Sequence, residues 1–180
     1  MTSEKSGLPP IISVIGLKDS GKTSTAVALV GELVRRGRRV MVVKHGHHFR
    51  FDAEGTDSWR LRHDAKAERV VLAGPEEFAV MGGWPLEGEA DLHTLVRDFA
   101  ADAEIVVVEG FKGERVPKIE VFRTGAHAAP LYGSGRVADE DYLAIVTDQA
   151  EWTGEVPRVA LDDACLGAML ADLVEKALLG

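Results

Sequence analysis

The sequence predicts an α/β fold: a mainly parallel sheet with helices on both faces, plus a short β-hairpin. Three observations predict it. Short β-branched runs alternate with stretches of helical apolar spacing along the 180 residues, the pattern of parallel strands joined by crossover helices. The first strand runs directly into Gly16-Leu17-Lys18-Asp19-Ser20-Gly21-Lys22-Thr23, which matches the phosphate-binding pattern G-x-x-x-x-G-K-[ST]. A later strand, Ile105-Val106-Val107-Val108, ends on the acidic Glu109.

Each element has its own local reason. Ile11 to Ile15 is short and β-branched, as a buried parallel strand should be. After the glycine-bounded loop, Ala26, Leu29, Val30, Leu33 and Val34 fall at helical spacing, and Gly37 stops that helix. Arg39 to Lys44 reads as a second buried strand, and Gly46 to Asp57 as a long charged loop. Ser58 to Lys66 forms a short helix capped by Asp57 or Ser58. Val70-Leu72 and Phe78-Met81 flank Gly74-Pro75, which predicts two strands joined by a turn. Leu92 to Ala101 is helical, with Leu92, Leu95, Val96 and Phe99 on one face. Further strands are expected at Ile105-Glu109, Lys118-Phe122 and Tyr142-Thr147. The Gly- and Ala-rich stretch from Thr124 to Asp141 reads as a mobile loop. A final helix from Asp162 to Leu179 carries an apolar stripe through Leu166, Met169, Leu170, Leu173, Val174, Ala177 and Leu178, so its role is packing.

Strand, loop and helix in this order give the phosphate-binding pattern its required context, and the fold expected is that of the P-loop NTPases. The ligand implied is a nucleoside triphosphate with magnesium. Gly16 and Gly21 let the backbone bring its N–H groups against phosphate oxygens. The helix starting near Lys22 points its positive end at the same anion. Lys22 should reach the β- and γ-phosphates, and the Thr23 hydroxyl should ligate Mg²⁺. The nucleotide-binding set is Gly16, Lys18, Asp19, Ser20, Gly21, Lys22, Thr23 and Ser24.

Three carboxylates extend the candidate site. Glu109 stands where a P-loop protein carries an acidic strand end, able to hold a magnesium-bound water or orient an attacking water. Asp is the commoner residue there, and Glu109 as the plain end of an edge strand is the alternative. Asp52 follows the second strand and is a candidate for magnesium or the attacking water; a simple loop aspartate is the other reading. Asp148 ends a late strand at Thr147-Asp148. A carboxylate there can accept from the N1–H and N2–H₂ edge of guanine and would repel adenine N1, although Thr-Asp is also an ordinary strand exit. Catalysis would rest on Lys22, Glu109 and Asp52, and metal ligation on Thr23, Glu109 and Asp52. His45, His47 and His48 lie close in sequence and raise transition-metal ligation, but with no nearby cysteine a polar loop meeting substrate explains them better.

Taken together, these segments resemble one family. They are Gly16 to Thr23, Val43-Lys44-His45 with His47 or His48, Asp52, Gly55-Thr56-Asp57-Ser58-Trp59-Arg60, Val108 to Lys112, Pro117 to Arg123, and Ala144 to Asp148. The combination of Lys-His, Asp-Ser-x-Arg and Glu-Gly-Phe-Lys resembles the molybdopterin-guanine dinucleotide biosynthesis protein B (MobB) family, across most of residues 11 to 165. The resemblance implies a GTP-binding adapter with slow intrinsic GTPase activity. It implies a cytoplasmic homodimer that assists a nucleotidyltransferase in attaching GMP to molybdopterin. The expected cofactors are GTP and Mg²⁺. The expected partners are that molybdenum cofactor nucleotidyltransferase and a molybdenum-inserting enzyme, with molybdopterin a further candidate ligand. Two places depart from the family pattern: Lys18-Asp19-Ser20 replaces small residues inside the loop, and Arg62 to Ala67 lacks an Ala-Gly-Ala run. The alternatives are a nickel-type metal-insertion GTPase, motivated by the histidines, and an ATP-dependent small-molecule kinase. Arg60 and Arg123 are the candidate arginine fingers.

Composition sets the outer bounds. The length suits one nucleotide-binding domain, 1–180, with residues 1–10 a flexible N-terminus. The formal net charge of −8 disfavours nucleic acid and anionic membrane as partners. No stretch approaches a membrane span, and the N-terminus carries no apolar signal region. Cys165 is the only cysteine, which excludes an intrachain disulfide and suits a reducing cytosol. Arg35, Arg36, Arg38 and Arg39 form the main basic patch, expected as a solvated helix end.

Overall fold

A computed structural model of the chain describes residues 7–46, 49–84 and 88–180. The chain divides into two compact units, one formed by the segment up to His45 with Leu92–Gly180, the other by Gly46–Asp91.

The larger unit is built on six strands: β1 (Ile11–Ile15), β2 (Val40–Lys44), and, numbering onward past the smaller unit, β5 (Ile105–Glu109), β6 (Lys118–Phe122), β7 (Tyr142–Thr147) and β8 (Arg158–Ala160). Their order is β2-β5-β1-β6-β7-β8, and every pairing is parallel. Parallel neighbours need crossovers, which the helices supply. Helices α1 (Lys22–Arg35) and α4 (Leu166–Leu178) pack on one face, where Ala26, Leu29, Leu33, Leu170 and Val174 meet Ile12, Val14, Val107 and Ile119. On the other face α3 (Leu92–Phe99) lays Leu92 and Val96 against Ile11, Val106 and Val108. The sheet is thus covered on both faces, as the sequence pattern predicts.

The smaller unit holds α2 (Asp57–His63) and the antiparallel hairpin of β3 (Arg69–Ala73) and β4 (Phe78–Gly82). Val70 and Met81 are cross-strand partners and are buried. Their neighbours Val71 and Val80 are also partners but point the other way and are exposed, as the period-2 alternation of strands requires.

Several details differ from the sequence reading, each for a physical reason. β2 is an edge strand rather than a buried one, so Val42 stands 53% exposed. Val34 lies off the core face of α1 and is exposed. The cap of α2 is Thr56, whose Oγ1 accepts from Trp59 N. α4 begins at Leu166 because the turn at Asp163, whose carboxylate accepts from Cys165 N, occupies the residues before it. β8 has no counterpart in the sequence pattern, because three residues are too few to show a period.

The stretch between β6 and β7 is not a free loop. Leu131 and Val137 are buried in a third apolar cluster with Ile15 and Tyr142. The buried Glu120 carboxylate accepts from Leu131 N (2.6 Å) and Tyr132 N (2.9 Å). Burial pushes the Glu120 carboxyl above its ordinary range, against these backbone hydrogen bonds. The Tyr142 hydroxyl lies beside the same carboxylate without meeting hydrogen-bond geometry. Lys118, also fully buried, donates to Val116 O (2.8 Å), Glu114 O and Asp141 Oδ2 (3.2 Å). A charged group inside a sheet needs such a complete set of partners.

The basic patch is likewise more than a solvated helix end. Arg36 reaches Glu32, Asp172 and Glu175, each at 2.7–2.8 Å, and Arg38 also pairs with Glu175. These pairs tie α1 to α4, because carboxylates distant in sequence come within reach once the helices pack.

Candidate functional site

The loop between β1 and α1 leaves the C-terminal end of a central strand, between β5 and β6. That is where ligands bind in open parallel sheets. Gly16 has φ +149, and a Cβ there would strike Val121 O and lie 2.7 Å from Ser20 Oγ. Asp19 takes a left-handed conformation at φ 62, so the loop folds back on itself. Gly21 is the N-cap of α1 and offers no side-chain cap. The first-turn N–H groups of α1 are therefore directed at the space over the loop, an anion-binding arrangement.

The predicted loop residues converge there. Lys18, Asp19, Gly21, Lys22, Thr23, Ser24 and Glu109 line one cavity of about 460 Å³, within the size range of small-ligand sites. Gly16 and Ser20 belong to the same loop and are buried, and the Ser20 hydroxyl is buried without a hydrogen-bond partner. Lys22 Nζ donates to Leu17 O at 2.5 Å, which folds the side chain over the loop. Burial holds the Lys22 ammonium below its ordinary value; Glu109 and Asp19 oppose this, while Lys112 and Lys44 add to it. His127 contacts Lys18 O at 2.5 Å through Nε2, and so braces the outer side of the loop.

Glu109 reaches the same place from β5. It is paired in register with Val14 of β1 on one side and Lys44 of β2 on the other. Its Oε2 accepts from Thr23 Oγ1 at 3.0 Å, and its Oε1 accepts from Lys44 Nζ at 2.7 Å. Gly110 follows with φ +109; a Cβ there would lie 2.9 Å from His45 Cβ. A glycine is thus required for the chain to turn away beside β2. The buried Ser13 closes the same corner by donating to Gly110 O at 2.6 Å.

A hydroxyl and a carboxylate side by side are hard oxygen donors, the type magnesium takes. Thr23 and Glu109 therefore fit the ion that accompanies a nucleoside triphosphate. Asp52 lies in the smaller unit, where its Oδ1 accepts from Ala53 N and Thr56 Oγ1, both at 2.8 Å. Hydrogen bonds from Ser58 and Thr56 hold its carboxyl below the usual range. These bonds give it a local task, shaping the turn into α2. Asp148 directly follows β7, and its Oδ1 accepts from Thr124 N at 2.8 Å, so it is joined to the turn after β6. Arg60 pairs with Asp64 at 3.5 Å within the smaller unit. The Arg123 guanidinium comes within 3.8 Å of the place a Gly21 Cβ would occupy. The ring of His45 packs on Phe111 at 4.8 Å; His47 and His48 lie outside the described residues. Among the described residues, no three His, Cys, Asp or Glu side chains gather to hold a metal ion.

Sequence reasoning did not place Lys44 or His127 in the site. Lys44 is 65 residues from Glu109 in the chain, and only the strand order brings them together. His127 sits in a stretch with no pattern of its own.

A parallel sheet with Gly-x4-Gly-Lys-Thr leaving its central strand, and an acidic end on the neighbouring strand, defines the class: a P-loop NTPase-type fold. Residues 11–148 match the family of molybdopterin guanine dinucleotide synthesis protein B, and the chain belongs to this MobB family. It is 36% identical to the molybdopterin-guanine dinucleotide biosynthesis adapter protein of Haemophilus influenzae over 93% of this chain and 88% of that protein. The corresponding Escherichia coli adapter protein is 34% identical over 77% of this chain and 78% of its own. Among solved structures, MobB of Bacillus subtilis superposes with a TM-score of 0.69 at 21% identity, covering 94% of this chain and 98% of the other. A MobB homologue from Bacillus stearothermophilus gives 0.60 at 22%, covering 91% and 97%. At such identities these two structures bear on the fold.

Proposed function

We propose that this chain is an adapter of molybdenum cofactor biosynthesis that binds GTP with Mg²⁺ at the loop Gly16 to Ser24 and assists the attachment of GMP to molybdopterin. The observation that carries the nucleotide part is the convergence of Lys22, Thr23 and Glu109 on one cavity at the end of β1. Family membership carries the adapter part. Loop N–H groups and Lys22 hold the phosphates, and Thr23 with Glu109 holds the ion. Magnesium, when bound, offsets the charge of the β- and γ-phosphates. Asp148 reads the guanine edge from the end of β7. Hydrolysis by this chain alone is slow, since a water-positioning group and an arginine supplied to the γ-phosphate are what accelerate such sites. Arg123, whose guanidinium stands beside Gly21, is the arginine to be tested.

The chain works as a cytoplasmic homodimer beside a nucleotidyltransferase and a molybdenum-inserting enzyme. The exposed apolar face of the hairpin supports self-association, and a charge of −8 argues against nucleic-acid partners. Among the described residues no helix is long and apolar enough to cross a membrane.

Calorimetric titration with GTP and ATP analogues in Mg²⁺ tests this. GTP should bind selectively, and Lys22→Ala should weaken it by about 100-fold, the loss of a charge-assisted phosphate contact. Equal ATP binding would remove Asp148 as a guanine reader. Unchanged GTP affinity in Lys22→Ala would sink the nucleotide assignment.

A further inference from the structure

Lys44 stands where the nucleotide-bound cation is expected to act. Its ammonium sits 2.7 Å from Glu109 Oε1 and 3.4 Å from Thr23 Oγ1, and Thr23 Oγ1 in turn donates to Glu109 Oε2 at 3.0 Å. The two groups assigned to magnesium are therefore the two groups that Lys44 engages. The loop lysine does not fill this role: Lys22 Nζ is turned to Leu17 O. The placement is also not a chance of side-chain reach. Lys44 and Glu109 are direct Cα partners at the ends of β2 and β5, so the backbone aims both side chains at the same spot. The Glu109 side chain is only 13% exposed, whereas Lys44 at 47% has room to swing away.

We propose that Lys44 and the divalent cation are mutually exclusive occupants of the Thr23–Glu109 oxygen pair. One carboxylate cannot hold an ammonium at 2.7 Å and a hydrated divalent ion on the same edge without strong repulsion between the two cations. Lys44 thus sets the magnesium concentration at which the loop takes up metal-bound nucleotide. It also supplies a positive charge near the phosphates when the divalent ion is scarce. This rests on the phosphate-site reading above, but not on the identity of the base.

The test measures phosphate-ligand affinity against Mg²⁺ concentration for wild type, Lys44→Gln and Lys44→Arg. The probes are a GTP analogue and inorganic tripolyphosphate. Lys44→Gln should lower the Mg²⁺ midpoint by about two- to fivefold, the range of a half-exposed ion pair. Without divalent ion it should bind either probe more weakly than wild type does. Lys44→Arg keeps the charge and should return the midpoint close to the wild-type value. An unchanged or raised midpoint in Lys44→Gln overturns the proposal, as does equal weakening at every Mg²⁺ concentration, which would make Lys44 a plain phosphate ligand. Tripolyphosphate binding without GTP binding would count against the guanine nucleotide reading alone. Failure of wild type to bind either probe would overturn both.

Discussion

At the scale of single residues, the site is made by a few positions that tolerate no substitute. Gly16 is the clearest. Its φ of +149 and the closeness of Val121 O and Ser20 Oγ leave no place for a side chain. Gly16→Ala should destabilise the fold by about 1–3 kcal/mol, the cost of a residue forced into a sparsely populated backbone region, and should also impair phosphate binding. Gly113, by contrast, has open space around it, and Gly113→Ala should stay within about 0.5 kcal/mol of wild type. Denaturant unfolding of the two variants checks the pair. Equal stabilities would show that the loop relaxes around the new methyl group. The residues Gly16 to Thr23 are legible in the sequence because the motif is contiguous and its glycines shape the backbone locally.

Among elements, the packing of α1 on α4 joins apolar contact to charge. Glu32 is held down to about 2, through hydrogen bonds from Arg35 and then Arg36. Glu175 is held low by Arg36 and then Arg38. A carboxylate whose folded value lies below its ordinary 4.5 contributes stability that is present above that value. The contribution fades as pH falls from 4.5 toward about 2 and the carboxylate is protonated. Arg36→Met removes a shared partner of both acids. The variant should melt at a lower temperature than wild type near neutral pH, and the gap should narrow as pH falls through that window. A gap that is constant with pH would mean that Arg36 acts by packing alone. The apolar stripe of α4 was readable from its spacing. The carboxylates that meet Arg36 and Arg38 were not, because helix neighbours are chosen by the whole sheet they cover.

At the scale of the whole molecule, the exposed face of the hairpin bears on assembly. Val71, Val80 and Phe78 are 63%, 48% and 76% exposed and share one face of the hairpin. Apolar faces of this kind mark interaction surfaces. For the homodimer proposed above, we predict that Phe78→Ser with Val80→Ser raises the dissociation constant by about tenfold or more, while the proposed phosphate binding of the protomer is kept. Light scattering at matched concentrations reads the first, and tripolyphosphate titration reads the second. A mass unchanged by the substitutions would remove this face from the proposed dimer, and a monomeric wild type would overturn the dimer itself.

The sequence by itself determined the fold class, most strands and helices, and the glycine-bounded loop that, with Lys22, Thr23 and Glu109, lines one cavity. Each of these is written in adjacent residues: a turn needs its own glycines, a strand its own β-branched run, a helix its own apolar spacing. Only the tertiary structure decided what those pieces meet. Lys44 reaches Glu109 because β5 inserts between β2 and β1. Glu120 holds the backbone of Leu131 and Tyr132 because a segment without periodic pattern folds back onto Ile15. Strand order and long-range hydrogen bonds are settled by the packing of the complete sheet, and no window of the sequence contains both partners.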